Sequence, residues 1–203
     1  MMTRAELLIE AKPILFNTEM VRAILDGCKT VTRRVVKHDT DAILNSPFHK
    51  ENPEVPDAQI IEKLCLPRYN VGDILYVRET WAPFTDYAPC GRIINTYAYK
   101  ADDEKYFHGI TMKVPVTNWH PSIHMPKEAA RIFLRVTEVR VERLQDITDE
   151  EAEKEGCNDY TSTACGFPYM WDNTVKKTDI ASYGWNANPW VWVIEFERLE
   201  VQE

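Results

Sequence analysis

The sequence predicts an α+β fold in which short helices flank a small, sharply bent sheet. Three observations carry that prediction. The last apolar segment alternates strictly, with Trp190, Trp192, Ile194 and Phe196 on one parity and Val191, Val193, Glu195 and Glu197 on the other. A longer strand signal over 131–143 begins with Ile132, Leu134 and Val136 on one face and continues with Val139 and Val141 on the other. Its phase slips near Thr137 and Glu138, as at a bulge or bend, the device with which small barrels turn a corner. Helical signals are short, and each is marked more by its ends than by its length.

In chain order, Pro13-Ile14-Leu15-Phe16 reads as a short buried strand ahead of a helix over 18–26. Asn17 or Thr18 supplies its N-cap, Val21, Ile24 and Leu25 share one face, and Gly27 stands where a C-terminal cap belongs. The eight residues from Gly27 to Arg34 then gather a hinge, an amine, two hydroxyls and two guanidiniums, little of which is core material. In one continuous strand Lys29 and Thr32 would point to opposite faces. They share a pocket only if the chain turns first, and Gly27 permits such a turn.

Residues 37–68, rich in Asp, Asn and Pro without a sustained period, read as a surface excursion. Order returns at the Gly72-Asp73 turn and a strand running to Trp81. Arg78 and Glu79 are adjacent and face opposite ways, so one of them points inward or lines a cleft. Glu79 is read as half of a structural ion pair, and Arg78 and Trp81 as a guanidinium and a stacking plane offered to a base. Residues 82–127 read as irregular, with one short strand at Tyr97 and Tyr99. His120 and His124 have the spacing of a helical metal pair, but Pro121 interrupts that turn and no ligand set is completed, so no metal is expected. Thr148 and Glu151 fit a capping box that opens a short acidic helix ending at Glu155 before Gly156. Residues 157–188 form a further excursion, whose aromatic run from Phe167 to Trp171 reads as a lid or a second packing cluster.

With 203 residues, 44% of them hydrophobic, the chain can bury a proper core as one domain, 1–203, with insertions at about 37–68, 82–127 and 157–188. The N-terminal segment carries acids and lacks the apolar stretch of a signal peptide, and no run reaches membrane-spanning length, so a cytoplasmic protein without a membrane partner is expected. Five cysteines without a CxxC pair read as free thiols. A net charge of −8 argues against bulk duplex DNA binding, which draws its strength from massed cations. Lys29, Arg33, Arg34 and Lys37 nonetheless form a dense basic group that suits a small anionic or nucleotide ligand, or else protects a strand edge.

The order of these features resembles the ASCH domain family: a helix, Gly27-x-Lys29-x-x-x-x-Arg34, the Gly72-Asp73 strand, a long bent strand, the helix ending in Glu155-Gly156 and the terminal Trp/Val/Phe strand. The resemblance covers roughly 13–36, 71–81, 131–156 and 189–198, and the insertions make the chain look like a long phage- or prophage-type member. It implies a PUA-like small β-barrel with helices beside a nucleotide-sized cleft. One branch of the family hydrolyses the N4-acyl group of acetylated cytidine with a lysine, a threonine and a glutamate. Its Gly-x-Lys-Thr-x-Thr-x-Arg pattern aligns with Gly27, Lys29, Thr30, Thr32 and Arg34, and its glutamate falls on Glu155. Arg33, in place of an apolar residue, and Gly156 are departures.

The resemblance thus implies Lys29, Thr32 and Glu155 as catalytic residues without a cofactor. Gly27 and Arg34, with Arg78 and Trp81, would then bind a nucleoside or single-stranded RNA. Amide hydrolysis needs a nucleophile, a proton acceptor and a group that stabilises the oxyanion. Two assignments stay open: Lys29 as base for the Thr32 hydroxyl, or Glu155 activating water with Lys29 as an ammonium on the oxyanion. The alternative class is a non-catalytic RNA- or modified-nucleotide-binding module using Arg34, Arg78 and Trp81, with ribonuclease activity a weaker option.

Overall fold

The structure is a computed structural model that describes residues 3–87, 93–102, 106–108, 113–116, 118–156 and 166–201. It opens with α1 (Arg4–Glu10), capped reciprocally by Thr3 and Glu6. The apolar pattern does not announce this helix; the Thr3-x-x-Glu6 spacing is its signal. β1 (Lys12–Leu15) follows, then α2 (Thr18–Leu25), whose Met20 N–H donates to the Asn17 side chain at 2.8 Å. Val21 and Ile24 are buried on one face of α2, as their spacing predicts. Gly27 lies at φ +77° beyond it, and β2 (Val31–Val35) comes next.

The 37–68 stretch is not an irregular excursion, for it holds α3 (Thr40–Leu44), α4 (Pro47–Glu51) and α5 (Asp57–Leu64). Five to eight residues are too few for a 3.6-residue period to repeat visibly, and the usable signals are caps. Asp39 accepts the Ala42 N–H at 2.9 Å, and Ser46 caps α4 immediately before Pro47. β3 (Ile74–Arg78) follows the turn at Gly72, where φ is +89°.

The 82–127 stretch, expected to hold one short strand, contributes two antiparallel pairs: β4 (Trp81–Tyr87) with β5 (Ile93–Tyr99), and β6 (Tyr106–His108) with β7 (Lys113–Pro115). Pro83 sits within β4 opposite Tyr97, which a two-stranded sheet tolerates because both of its strands are edges. The remaining elements are β8 (Phe133–Arg143), α6 (Asp149–Lys154), α7 (Phe167–Thr174), α8 (Ile180–Tyr183) and β9 (Trp190–Arg198).

The fold is α+β, with a five-stranded sheet in the order β1-β3-β8-β9-β2 besides the two-stranded pairs. β1 runs parallel to β3, while β3–β8 and β2–β9 are antiparallel. Among the described residues no closed barrel is formed. No described helix is long and apolar enough to cross a membrane.

The chain divides into two compact units. The first comprises Met1–Gly27, Ile74–Arg135 and Arg198–Glu203, and its core joins Leu7 of α1 to Tyr76, Met125, Ala129 and Phe133. Here Glu79, 1% exposed, takes a bidentate hydrogen bond from Arg131 at 2.9 and 3.0 Å, so it is half of an ion pair as its position predicts. Arg131 also lies 4.0 Å above the Tyr99 ring and reaches Asp102 at 2.7 Å.

The second unit comprises Cys28–Asp73 and Val136–Glu197. Its core packs Val31, Leu144, Ile147, Ala152, Phe167, Trp171, Val191 and Val193. Both parities of β9 are buried: Val191 and Val193 are as buried as Trp192 and Ile194, because Ala152 of α6 and Phe167 and Trp171 of α7, with Leu144 and Ile147, cover the valine face. The aromatic run is a packing cluster, with Phe167 against Trp171 and Trp185 at ring distances of 6.3 and 5.9 Å.

Candidate active site

Lys29, Thr32 and Glu155 all belong to the second unit. The chain leaves Gly27 in a left-handed turn and does not enter β2 until Val31, so Lys29 precedes the strand. The Thr30 N–H donates to the Lys154 carbonyl at 2.9 Å, which ties this approach to the last turn of α6. Lys29 therefore meets the C-terminal end of that helix, where exposed carbonyls favour a cation. Its Nζ donates to the Val31 carbonyl at 2.7 Å, the Glu155 carbonyl at 3.0 Å and Glu155 Oε2 at 2.5 Å. An ammonium has three donors, and here each is spent on an oxygen acceptor. Both side chains are almost wholly withdrawn from water.

Glu155 is the C-cap of α6, and Gly156 follows at φ +93°. That glycine is a helix stop: its positive φ, costly for other residues, ends the helix directly after Glu155. At the other end Thr148 and Glu151 form the predicted capping box.

Arg33, expected to offer its charge to an anionic ligand or a strand edge, is instead spent inside the fold. It shares the parity of Val31 and Val35 on β2, a face that otherwise turns to the apolar core, and its guanidinium is fully buried. The charge is matched by three glutamates. Nε and Nη2 reach Glu142 Oε1 at 2.9 and 2.6 Å, Nη2 reaches Glu151 Oε2 at 2.8 Å, and Nη1 reaches Glu155 Oε1 at 3.4 Å. Arg140 extends the network to Glu151, to Glu142 at 3.4 Å and to Glu195 at 2.7 Å. Glu155 thus sits between two cations, with Lys29 on one oxygen and Arg33 on the other. Only the acidic half of this network shows in the spacing, since Glu151 and Glu155 are one helical turn apart and Arg140 and Glu142 share a face of β8; nothing local brings Arg33 to them.

Thr32 has the opposite parity to Arg33, pairs in register with Ile194 and is 2% exposed. Arg34 shares that parity, pairs with Trp192 and keeps part of its surface open. Burial lowers the Arg34 pKa, and the charge of Glu155 opposes that shift. Arg34 therefore feels Glu155, the carboxylate that Lys29 and Arg33 hold. At Gly27 an added Cβ would meet no heavy atom within 4 Å, so its requirement is conformational.

Arg78 and Trp81 belong to the first unit. Arg78 Nη2 donates to the Ile123 carbonyl, and Trp81 stacks on His120 with ring centroids 5.1 Å apart. His120 and His124 are exposed, and among the described residues no group of side chains has the make-up of a metal site. Cys28 and Cys65 are free thiols, and burial pushes the Cys65 pKa up; Cys90, Cys157 and Cys165 lie outside the described residues. Compared with family models, curated proteins and solved structures, the chain matches none of them.

Proposed function

We propose that this is an ASCH-like protein with a PUA-like barrel, acting on nucleosides or RNA, in which Lys29, Thr32 and Glu155 remove an N4-acyl group from modified cytidine. The observation that supports this reading most is the buried contact of Lys29 with Glu155, which brings an amine and a carboxylate together across 126 positions of sequence. Of the two assignments left open by the residue types, the hydrogen bonding favours Lys29 as the ammonium. All three of its N–H groups face oxygen acceptors, which leaves no lone pair to take a proton from Thr32.

In the reaction, Glu155 takes a proton from a water molecule as its oxygen bonds to the acyl carbon. The acyl oxygen becomes an oxyanion, exchanges for one of the present acceptors on Lys29 and is stabilised there. Thr32 orients the amide. The tetrahedral intermediate then breaks its bond to N4, the proton on Glu155 passes to the departing amine, and cytidine leaves with a carboxylic acid that gives its remaining proton to solvent as a carboxylate.

The test is incubation with N4-acetylcytidine, followed by chromatography for cytidine. Parent protein produces it, and Lys29→Met and Glu155→Gln do not. A folded parent that releases none overturns the proposal.

A further inference from the structure

The first unit carries two buried N–H donors that nothing described there satisfies: Nε of Arg78 and Nε1 of Trp81. A buried donor without an acceptor costs roughly 1–3 kcal/mol, so each of these groups calls for an acceptor, either a water or an atom of a ligand. Both residues lie along one seam. Trp81 and His120 exchange backbone hydrogen bonds at 3.2 and 2.7 Å, and three residues further along the chain in each direction, beyond the end of β4, Arg78 donates Nη2 to the Ile123 carbonyl. Among the described residues no carboxylate pairs with Arg78, in contrast to Arg131 of the same unit, which is matched by Glu79 and Asp102. The seam therefore presents a positive charge and an indole donor without an anion.

His120 adds a second kind of contact. Its ring is stacked on Trp81 with an interplanar angle of 29°, and the residue is exposed, so a nucleobase can extend the stack outward. Tyr97, edge-on to Trp81 at 5.6 Å, holds the indole from the side.

We propose that the seam formed by Arg78 and Trp81 against residues 120–123 is a nucleotide-binding site, in which these two donors take a phosphate group and His120 carries the base. The site lies wholly within the first unit and does not rest on the hydrolase reading. An acid with only acceptor oxygens fits two unspent donors, and phosphate matches the planar fork of a guanidinium.

The readout is the indole N–H signal of Trp81 in a proton–nitrogen correlation spectrum, assigned among the six tryptophans by its loss in Trp81→Phe. Titration with cytidine 5′-monophosphate moves that signal downfield as the N–H gains an acceptor. Inorganic phosphate moves it too at higher concentration, while cytidine leaves it in place. Arg78→Gln weakens binding of the monophosphate at least about tenfold, the loss expected for one charged hydrogen bond. His120→Ala weakens the monophosphate and leaves inorganic phosphate unchanged. The parent spectrum alone decides if a variant fails to fold: a signal unmoved by every ligand, or moved as far by cytidine as by its monophosphate, overturns the proposal.

Discussion

Replacing Glu155 with glutamine removes one negative charge from between two buried cations while keeping the shape of the side chain. Deleting one member of a buried ion pair typically costs about 3–5 kcal/mol, because the other charge stays buried without its counter-charge. The local geometry places this change near the lower end. Lys29 keeps its two carbonyl acceptors, Val31 and Glu155, and Arg33 keeps Glu142 and Glu151. The expected loss is therefore about 3 kcal/mol. For a chain of 203 residues each kcal/mol moves the melting temperature by roughly 2–4 °C, which gives a drop of about 6–12 °C by circular dichroism. Lys29→Met combined with Glu155→Leu removes both charges and recovers most of that loss, since an apolar pair avoids the desolvation cost. A Glu155→Gln variant that melts within about 1 °C of the parent refutes the claim that this carboxylate is ionised and paired in the fold. So does a double variant no more stable than the worse single one.

Two further outcomes follow from the same network logic. Arg33→Lys should destabilise by about 2–3 kcal/mol in urea unfolding, because a point-like ammonium cannot reach Glu142, Glu151 and Glu155 as a planar fork does; an unchanged midpoint contradicts it. Tyr99, whose hydroxyl donates to the Ala129 carbonyl at 2.6 Å, has its pKa pushed up from 10.0 to about 12, chiefly by burial, with the Arg131 charge opposing. Below pH 10 both folded and unfolded chains hold this proton and its contribution to stability is complete. Between pH 10 and 12 the unfolded phenol ionises first, so that contribution is lost as pH rises through the window. Absorbance near 295 nm should show a late-ionising tyrosine that Tyr99→Phe removes, and ionisation of Tyr99 near pH 10 contradicts the assignment.

What could be read from the sequence was whatever its own neighbours decide. β9 announces itself because alternation over eight residues is a local property, and α6 does so because Thr148 and Glu151 cap each other within one turn. The phase slip at Thr137 and Glu138 marks a real change: Val136 is buried on one parity of β8 and Val141 on the other. It falls close to the point where the chain passes from the first unit to the second. The helices between residues 40 and 64 were hidden because none is long enough to show a period, and β4 was hidden by Pro83.

Arg33 was illegible for a different reason. Alone on β2 it looks like a misplaced charge, and its meaning depends on Glu142, Glu151 and Glu155, which arrive from more than a hundred residues away. Nor does periodicity bring Lys29 to Glu155. Only the resemblance in motif order placed them together in expectation, and the turn at Gly27 and the stop at Gly156 are the local devices that make the contact geometrically available.

The most direct measurement is product release from N4-acetylcytidine by the folded parent and by Glu155→Gln, with each protein's fold checked by circular dichroism in the same buffer. Cytidine and acetate should appear in equal amounts with the parent and be absent with Glu155→Gln. Release that persists undiminished in a folded Glu155→Gln protein, or a folded parent that forms neither product, contradicts the assignment of Lys29 and Glu155 as a catalytic pair.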